Sequence, residues 1–383
     1  MKNRPNIGVN MITSNETLRG VDRYITEILY HLSKTDASNQ YFIFYAHWQR
    51  FIQPLTASNF RFIKMFPPKG TLLRAFWQAL IFPNVVKRYK LSALHYTNPI
   101  PILRRHCPIA VTIHDLAEFI QPEKYGTIKS YAKRLFVHLC ARKADFIITV
   151  SETTRKVILD VLDYSPECIE VTLEGVSLNL SADNNDGEYL FEKYRLPRNY
   201  LLYVGVIEKT KQVESIVRAF SQLDDSLQKD YAVVIVGAKG NAYNAVMTAV
   251  RDCHLEKKVF FLGYVQDNDL KYLYKKARIF VFPSLIEGFG LPVLEAMAHG
   301  TPVIASDIPV LSEVVGDAAI LVDPYDITAL SNAISRTLLD EDMRKSLIMK
   351  CSERIKVFSW DNTVRKTLSI YEKLAGMDDD SSL

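Results

Sequence analysis

The sequence predicts an α/β protein built from two doubly wound parallel sheets, each covered by helices. Its 383 residues are enough for two domains of ordinary size, each with its own core. Short apolar runs typical of buried strands alternate with helical patterns, which favours parallel sheets. A polar, turn-rich segment at 177–190, SLNLSADNNDGEYL, separates two such series and is predicted to be the linker between the domains.

The strands of both series are predicted from runs of four to seven mainly apolar residues. In the first series these runs are IGVNMI at 7–12, FIFYA at 42–46, IAVTI at 109–113 and FIITV at 146–150. In the second series they are YLLYVGV at 200–206, AVVIVG at 232–237, VFFLG at 259–263, IFVF at 279–282 and PVIAS at 302–306. Helical patterns lie between them, among them 23–34 and 127–144.

The composition limits the class of protein. With 48% hydrophobic and 23% charged residues, the chain has the composition of a folded globular protein. No run approaches the roughly 18 to 20 uncharged apolar residues that cross a bilayer, and the first apolar run is too short for a secretory signal. The five cysteines are dispersed, which favours reduced cytosolic thiols over a disulfide framework or a zinc site. We therefore expect a cytoplasmic protein without a bound metal.

Positive charge is concentrated in the first half of the chain. Residues 1–180 carry 23 Lys and Arg against 14 Asp and Glu, and residues 50–142 carry 15 against 3. Such a half is a candidate surface for an anionic partner, which includes nucleic acid, an anionic membrane leaflet or a phosphorylated acceptor. A solvated basic face without a partner is the alternative.

The segment 71–90, TLLRAFWQALIFPNVVKRYK, combines aromatic and aliphatic residues with four basic ones. An amphipathic basic-aromatic stretch of this kind can lie at a membrane interface. Core packing is the alternative use of the same spacing.

The segment 282–306, FPSLIEGFGLPVLEAMAHGTPVIAS, contains the most informative motif. Glu287 and Glu295 stand on either side of a Gly-Phe-Gly turn, and Pro292 opens the helical run that carries the second acid. Backbone N–H groups before a helix N-terminus, together with the helix dipole, favour an anion there. The pattern therefore predicts a phosphate cradle, with the two carboxylates accepting hydrogen bonds from hydroxyl groups on either side of the phosphate.

Glu287, the seven residues GFGLPVL and Glu295 resemble the Glu-x7-Glu signature of retaining glycosyltransferases with the GT-B fold, of the family 4 type, which use nucleotide-diphosphate sugars. Further segments resemble the family in the same order: TIHDL at 112–116, ADFIITVSE at 144–152, YVGVIEKTK at 203–211, FLGYV at 261–265 and GDAAILVDPYD at 316–326. Several matches in order across most of a chain are far more specific than one short motif.

The resemblance implies two Rossmann-like domains that face a central cleft. The N-terminal, acceptor-binding domain is then expected to span 1–178 and to be joined by the C-terminal helix at about 361–383. The nucleotide-sugar-binding domain is expected to span 179–360.

The resemblance also implies roles for residues of the second domain. Glu295 binds the ribose hydroxyls, Glu287 lies against the donor sugar, and Lys211 reaches the diphosphate and steadies the leaving group. Many relatives carry an arginine where this chain has Val206. Either Lys211 and the helix dipole suffice, or another base such as Lys209 or Lys239 substitutes. The donor is expected to contact Gly20, Gly205, Lys209, Gly263, Tyr264, Val265, Gly288, Phe289, Gly290, Leu291 and Glu295.

His114 directly follows the run IAVTI and precedes Asp115. This position is the carboxyl end of a strand, where sites form in parallel sheets. The resemblance implies that His114 faces the donor sugar, which would make it catalytic together with Glu287 and Lys211. A core histidine satisfied by backbone partners is the alternative. Asp115 either orients the imidazole, caps the next turn or acts directly.

Gly20 lies in the first strand-to-helix loop, where relatives use glycines to approach the donor phosphate or the acceptor. Arg19 and Arg23 flank this loop position. Both are candidate contacts to an anionic acceptor, and Asp115 is a further candidate contact to the acceptor.

The reaction that the resemblance implies is transfer of a sugar, with retention of the anomeric configuration, to a hydroxyl of a glycan or lipid-linked glycan in surface polysaccharide biosynthesis. GDP-mannose is favoured over a UDP-sugar as the donor. No resident cofactor, no metal and no nucleic acid partner are expected, and the enzyme is expected in the cytoplasm or peripherally on the inner face of the membrane. Two alternatives remain open: a catalytically silent GT-B binding subunit, and an oxidoreductase, which the lack of a G-x-G-x-x-G motif in IGVNMITSN disfavours.

Overall fold

The computed structural model describes residues 4–14, 16, 20–50, 52, 55–120, 127–176 and 187–380. The chain divides into two compact units, of which the first comprises Met1–Gly175 with Ser359–Leu383 and the second Val176–Phe358. The sequence places these boundaries after 178 and 360. The division falls slightly earlier, since the Val176 amide already donates to the Phe358 carbonyl at 3.4 Å. Most of the predicted linker, 177–186, lies outside the described residues.

The first unit is a seven-stranded sheet with helices. Its strands are β1 Asn6–Asn10, β2 Gln40–Ala46, β3 Phe60–Met65, β4 Ala93–Tyr96, β5 Ile109–Ile113, β6 Phe146–Thr149 and β7 Ile169–Val171. Its helices before the second unit are α1 Gly20–Thr35, α2 Thr71–Leu80, α3 Phe82–Val86, α4 Ala117–Ile120, α5 Thr127–Ala141 and α6 Glu152–Val161.

All strands of this sheet are parallel, in the order β3-β2-β1-β4-β5-β6-β7. The order reverses between β1 and β4, which we call the switch point of the first unit. All five residues of β5 are buried, as expected for a central strand of a parallel sheet covered on both faces.

The second unit is a six-stranded parallel sheet with helices. Its strands are β8 Tyr200–Val204, β9 Ala232–Val236, β10 Val259–Gly263, β11 Ile279–Phe282, β12 Val303–Ser306 and β13 Ile320–Val322. Its helices are α7 Tyr189–Lys193, α8 Val213–Ser221, α9 Asp225–Asp230, α10 Tyr243–Asp252, α11 Asp267–Lys276, α12 Leu291–Ala298, α13 Pro309–Val315, α14 Ile327–Leu339 and α15 Glu341–Arg354. The strand order is β10-β9-β8-β11-β12-β13. It reverses between β8 and β11, the switch point of the second unit.

The C-terminal helix α16, Trp360–Asp380, belongs to the first unit, as the sequence predicts. Its Tyr371 hydroxyl bonds to Nδ1 of His95 on β4 at 2.7 Å, and Nε2 of His95 bonds to the Thr112 hydroxyl on β5 at 2.7 Å. All three side chains are fully or almost fully buried, and burial lowers the pKa of His95 to about 3. A neutral buried histidine therefore connects the last helix to the middle of the first sheet.

In the segment 71–90, some apolar side chains pack in the core and others are exposed. Phe82 and Val86 are buried in the core of the first unit, whereas Leu72, Leu73 and Phe76 on α2 are exposed. No helix in the described ranges is both long and apolar enough to span a bilayer.

Candidate active site

The switch point of the second unit brings Lys211 and Glu287 together. Lys211 lies in the loop after β8 and Glu287 in the loop after β11, beyond the carboxyl ends of the strands, where parallel sheets bind ligands. The Lys211 ammonium and a Glu287 carboxylate oxygen are 2.5 Å apart, and only 21% and 11% of the two side chains are exposed. The Leu285 amide also donates to the Thr210 carbonyl at 2.8 Å, which connects the same two loops. Two predicted catalytic residues thus form one mostly buried ion pair.

The glycine turn between the two acids precedes α12. Gly290 caps the helix with a positive φ of 104°, and a Cβ atom added there would come within 2.7 Å of Leu311 Cδ2. Leu291, rather than Pro292, is the first helical residue. Proline is tolerated at the second position as well, because the N–H groups of the first turn have no intrahelical acceptor. The helix N-terminus therefore lies where an anion is expected.

The remaining residues of this turn differ in what they offer to a ligand. Gly288 is half-buried, whereas the Phe289 side chain is buried and packs edge-on against Phe358 at 5.7 Å between ring centroids. Phe289 can therefore reach a donor mainly through the backbone, whereas the Leu291 side chain is half-buried.

Glu295 lies in the second turn of α12 and is held by Tyr274 of α11. The Tyr274 hydroxyl donates to Oε2 of Glu295 at 2.9 Å, and the Tyr274 ring stacks on His299 at 5.5 Å. His299 in turn bonds through Nδ1 to the Glu295 carbonyl at 2.8 Å. The carboxylate of Glu295 is thus oriented by a buried tyrosine.

Glycines occupy the carboxyl ends of three adjacent strands. Gly205 follows β8, Gly237 follows β9, and Gly263 ends β10. The Gly237 amide donates to the Gly263 carbonyl at 2.8 Å. A Cβ atom at Gly237 would lie 2.0 Å from the Gly205 carbonyl oxygen. The backbones at Gly205 and Gly237 therefore approach too closely for a side chain at Gly237, whereas a Cβ atom at Gly263 would meet no atom within 4 Å.

The other residues of this unit that are predicted to contact the donor differ in their burial and in the groups that they contact. Lys209 is exposed, and its backbone amide rather than its side chain bonds to Asn241 at 2.9 Å. Lys239 lies over the Tyr243 ring at 4.5 Å. Tyr264 is exposed and Val265 is buried. Of the three lysines considered for the diphosphate, Lys211 is the one paired with Glu287.

His114 is buried at the carboxyl end of β5, with a backbone partner. Its Nε2 lies 3.2 Å from the Thr97 carbonyl, and the Tyr24 ring meets it edge-on at 5.0 Å. A carbonyl can only accept, so Nε2 carries the proton and Nδ1 is left as an acceptor. Burial lowers the pKa of His114 to about 4, and the nearby Asp115 opposes this shift in part. The imidazole is therefore neutral at pH 7, and the geometry agrees in part with the alternative of a core histidine.

The structure places the predicted ligand contacts of the first unit in two regions, just after β5 and at the start of α1. Asp115 accepts from the Ala117 amide at 3.1 Å at the start of α4, which fits the capping role considered for it. Gly20 is the first residue of α1, and a Cβ atom added there would meet no other atom within 4 Å, while Arg23 is half-buried one turn later. Arg19 lies outside the described residues.

Sequence reasoning missed Tyr274 and Thr97. Tyr274 lies in DNDLKYLYKK, whose periodicity predicts a helix but not the partner of one hydroxyl. Thr97 contacts His114 through its backbone carbonyl, which no side-chain pattern reports. In the described part of the chain, no three His, Cys, Asp or Glu residues are grouped so as to hold a metal ion.

Two doubly wound parallel units, with an acid-flanked glycine turn at the switch point of the second, define a GT-B glycosyltransferase. Residues 18–180 match the model of Glycosyltransferase Family 4, and residues 188–354 match that of Glycosyl transferases group 1. The chain belongs to this glycosyltransferase family, and the predicted fold class and family are confirmed.

Similar proteins agree with this assignment. The chain is 34% identical over 269 residues to O-antigen chain mannosyltransferase B of Escherichia coli, which covers 69% of this chain and 70% of that protein. It is 32% identical over 261 residues to O-antigen chain mannosyltransferase RfbU of Salmonella typhimurium, covering 68% of each. The structure of sucrose-phosphate synthase from Thermosynechococcus elongatus superposes with a TM-score of 0.82 at 21% identity, over 98% of this chain and all of that one. The last similarity concerns the fold alone.

Proposed function

We propose that this glycosyltransferase transfers mannose from GDP-mannose to a hydroxyl of a lipid-linked glycan, with retention of configuration, in the biosynthesis of a surface polysaccharide. The observation that carries the chemistry is the Lys211–Glu287 pair at the switch point of the second unit. The choice of mannose is supported by the two O-antigen mannosyltransferases to which the chain is similar.

Charge stabilisation comes from Lys211 and the N-terminus of α12. The diphosphate lies against the turn at Gly290, where backbone N–H groups and the helix dipole favour it. Lys211 acts on the departing phosphate as a compact point charge, and it is aimed in advance by Glu287. Together they supply what a divalent cation supplies in other transferases, so the reaction needs no metal and no resident cofactor.

Retention follows from a same-face substitution. The acceptor hydroxyl attacks the sugar on the face that the diphosphate leaves, and the departing phosphate takes the hydroxyl proton. Glu287 is a poor covalent nucleophile, because one of its oxygens is bonded to the Lys211 ammonium at 2.5 Å. Its role is to hold Lys211 and to accept a hydrogen bond from a sugar hydroxyl. His114 of the first unit, neutral and with Nδ1 as an acceptor, can accept a hydrogen bond from a ligand hydroxyl.

The donor is tested with a panel of nucleotide sugars. Purified protein is incubated with GDP-mannose, UDP-glucose, UDP-galactose and a dTDP-deoxysugar, and thermal stabilisation and release of the nucleoside diphosphate are measured. We expect GDP-mannose to give the largest effect in both. A preference for another donor would reject the sugar assignment, and binding of no donor at all would favour a catalytically silent subunit. Stabilisation by NAD(P) alone would favour an oxidoreductase.

Tyr274 gives a prediction about the ribose. If Glu295 binds the ribose hydroxyls, wild-type protein should prefer GDP to 2′-deoxy-GDP. Replacing Tyr274 by Phe should reduce this preference by about threefold to tenfold, because one hydrogen bond that orients the carboxylate is lost. Isothermal titration with both nucleotides measures the effect.

The matched control for this variant is Tyr200→Phe. It removes another buried hydroxyl, one that donates to the Leu273 carbonyl of the same helix at 2.8 Å. The control should leave the preference between the two nucleotides unchanged. An unchanged preference in Tyr274→Phe as well would remove Glu295 from the ribose.

We also propose that the enzyme works in the cytoplasm, peripherally on the inner face of the membrane. The apolar face of α2, defined as Leu72, Leu73, Phe76 and Leu80, is 44 to 64% exposed. Exposed lysines and arginines at 69, 87, 88 and 90 lie near it in the chain, within the strongly basic region 50–142. Apolar residues bordered by cations match an anionic lipid surface.

Vesicle sedimentation tests this surface. The double variant Leu73→Ser with Phe76→Ser should bind vesicles of phosphatidylglycerol and phosphatidylcholine at least about tenfold more weakly, since burial of one such side chain contributes about 1.5–3 kcal/mol. Leu339→Ser, an exposed leucine of the second unit, is the control and should bind like the wild type. Equal binding by all three proteins would show that α2 is not the membrane surface.

A further inference from the structure

Helix α2 buries two polar side chains beside Ala79, and four of its large apolar side chains are exposed. Arg74 and Gln78 are 7% and 3% exposed, whereas the apolar face of the same helix is open. A surface helix ordinarily has the opposite arrangement. Buried polar groups cost free energy unless they are satisfied, so the two inward side chains require partners.

The inward face of α2 lies over the switch point of the first unit. The Gln78 side-chain oxygen accepts from the side-chain amide of Asn10, the last residue of β1, at 3.0 Å. The Asn10 carbonyl accepts from the Thr97 hydroxyl, just after β4, at 2.9 Å, and the Thr97 carbonyl contacts His114. Arg74 is four residues before Gln78 and therefore on the same side of the helix, one turn away. This is the edge of the sheet where a parallel α/β unit binds its ligand.

The charge of Arg74 is not neutralised within the part of the unit that the structure describes. Its Nη1 donates to the Lys69 carbonyl at 2.9 Å, which is the one hydrogen bond that it makes to described residues. No described carboxylate lies within ion-pair distance of it, and burial lowers its pKa because nothing acidic offsets the loss of water. The neighbouring Lys69 pairs with Glu16 at 3.3 Å, so that carboxylate is already used. A guanidinium has five N–H donors, and the other four make no hydrogen bond to described residues.

We propose that Arg74 binds a phosphate group of the acceptor, and that the acceptor is a glycan attached to a lipid through that phosphate. This inference rests on the proposed function and names the group that the first unit recognises. The planar fork of a guanidinium matches phosphate oxygens in pairs, and a mostly buried guanidinium without a counterion is completed by an anion. The apolar face of α2 favours a lipid-borne phosphate over a free one, because one helix then meets the lipid surface outside and the phosphate inside.

The test uses geranyl diphosphate as a short lipid analogue, with GDP present at saturation so that the phosphate site of the second unit is occupied. Affinity is measured by isothermal titration of the full chain, with geraniol and inorganic pyrophosphate as comparison ligands. Wild-type protein should bind geranyl diphosphate at least about tenfold more tightly than either, since charge-assisted bonds to phosphate are lost with geraniol and the apolar contact is lost with pyrophosphate. Equal binding of pyrophosphate would overturn the lipid-linked assignment, and equal binding of geraniol would overturn phosphate recognition.

Substitutions of single arginine residues test which side chain binds the phosphate. Arg74→Gln should weaken geranyl diphosphate binding by about tenfold or more, while Arg365→Gln, which removes an exposed arginine of α16 in the same unit, should change it less than about twofold. Arg74→Lys keeps the cation but not the paired donors, so its affinity should fall between those of the wild type and Arg74→Gln. Equal losses in Arg74→Gln and Arg365→Gln would overturn the assignment to Arg74.

Two further measurements separate the possible causes of a failure. GDP affinity reports on the second unit and should be unchanged in every variant, which shows that the second unit is folded. If Arg74→Gln does not fold, Arg74→Lys and the wild-type comparison of geranyl diphosphate with geraniol still decide the question. Transfer from GDP-mannose without Arg74-dependent binding would reject this inference alone. Arg74-dependent binding without any use of GDP-mannose would reject the proposed donor alone.

Discussion

Replacing Glu287 by Gln is expected to lower the rate of mannose transfer by about 100-fold or more, while GDP binds with nearly unchanged affinity. The carboxylate aims Lys211 and accepts from the donor sugar, and both effects matter most as charge develops on the leaving phosphate. The neutral amide keeps the shape of the side chain but holds the ammonium weakly. GDP contains no sugar to be contacted, and loss of a nearby negative charge can only favour its diphosphate. Steady-state kinetics with GDP-mannose and titration with GDP measure the two quantities separately.

The control for this variant is Glu214→Gln. Glu214 forms an ion pair with Arg218 on α8 at 2.7 Å, in the same unit, and both side chains are more than a third exposed. Its replacement should leave both transfer and GDP binding within about twofold, as is usual for a pair exposed to solvent. If Glu287→Gln lost GDP affinity as strongly as turnover, Glu287 would belong to the nucleotide and not to the sugar.

Replacing Lys211 by Ala is expected to have the second large effect, and of a different kind. GDP affinity should fall by about tenfold to 100-fold, because a charged hydrogen bond to phosphate contributes about 1.5–3 kcal/mol. The Glu287 carboxylate would also be left without its partner beside the diphosphate, which adds repulsion. Guanosine, which lacks phosphate, should bind as before. Titration with GDP, GMP and guanosine separates the phosphate contribution from that of the base and ribose.

Comparison with two other lysines makes this prediction specific. Lys345→Ala, on the exposed part of α15, should bind GDP like the wild type. Lys209→Ala tests the competing assignment, and a larger loss there than in Lys211→Ala would mean that the wrong lysine has been chosen for the diphosphate. The double variant Lys211→Ala with Glu287→Gln should have a smaller loss of GDP affinity than the product of the losses in the two single variants, since the two side chains act as one pair.

The strand bounds predicted from the sequence agree best with the structure where almost every residue of the strand is apolar. β5 and β10 have the predicted bounds, 109–113 and 259–263, and β11 begins and ends where its run does, at 279–282. The sequence patterns do not predict β3, β4, β7 and β13. FRFIKM contains two basic residues and ALHY a histidine, while IEV and ILV are only three residues long. Their strand conformation depends on pairing with neighbours that are distant in the chain.

Helix α2 shows a second limit of prediction from the sequence. Its spacing predicts an amphipathic helix but not which face is buried, and the apolar face is ordinarily the buried one. Here Gln78 is bonded to Asn10, 68 positions earlier in the chain, and this contact turns the polar face inward. Arg74 therefore moves from the set of basic residues proposed for a membrane surface to a buried position at the switch point.

The sequence by itself determined the alternation of strands and helices, the family, and the residue types of the candidate site, because these follow from local periodicity and from motifs read in order. The tertiary structure alone decided which of these residues meet. Lys211 and Glu287 are brought together by the reversal of strand order between β8 and β11, and Tyr274 reaches Glu295 from another helix. A hydrogen bond or an ion pair requires its atoms to lie within about 3 Å, and such proximity between distant residues is a property of the packed sheet.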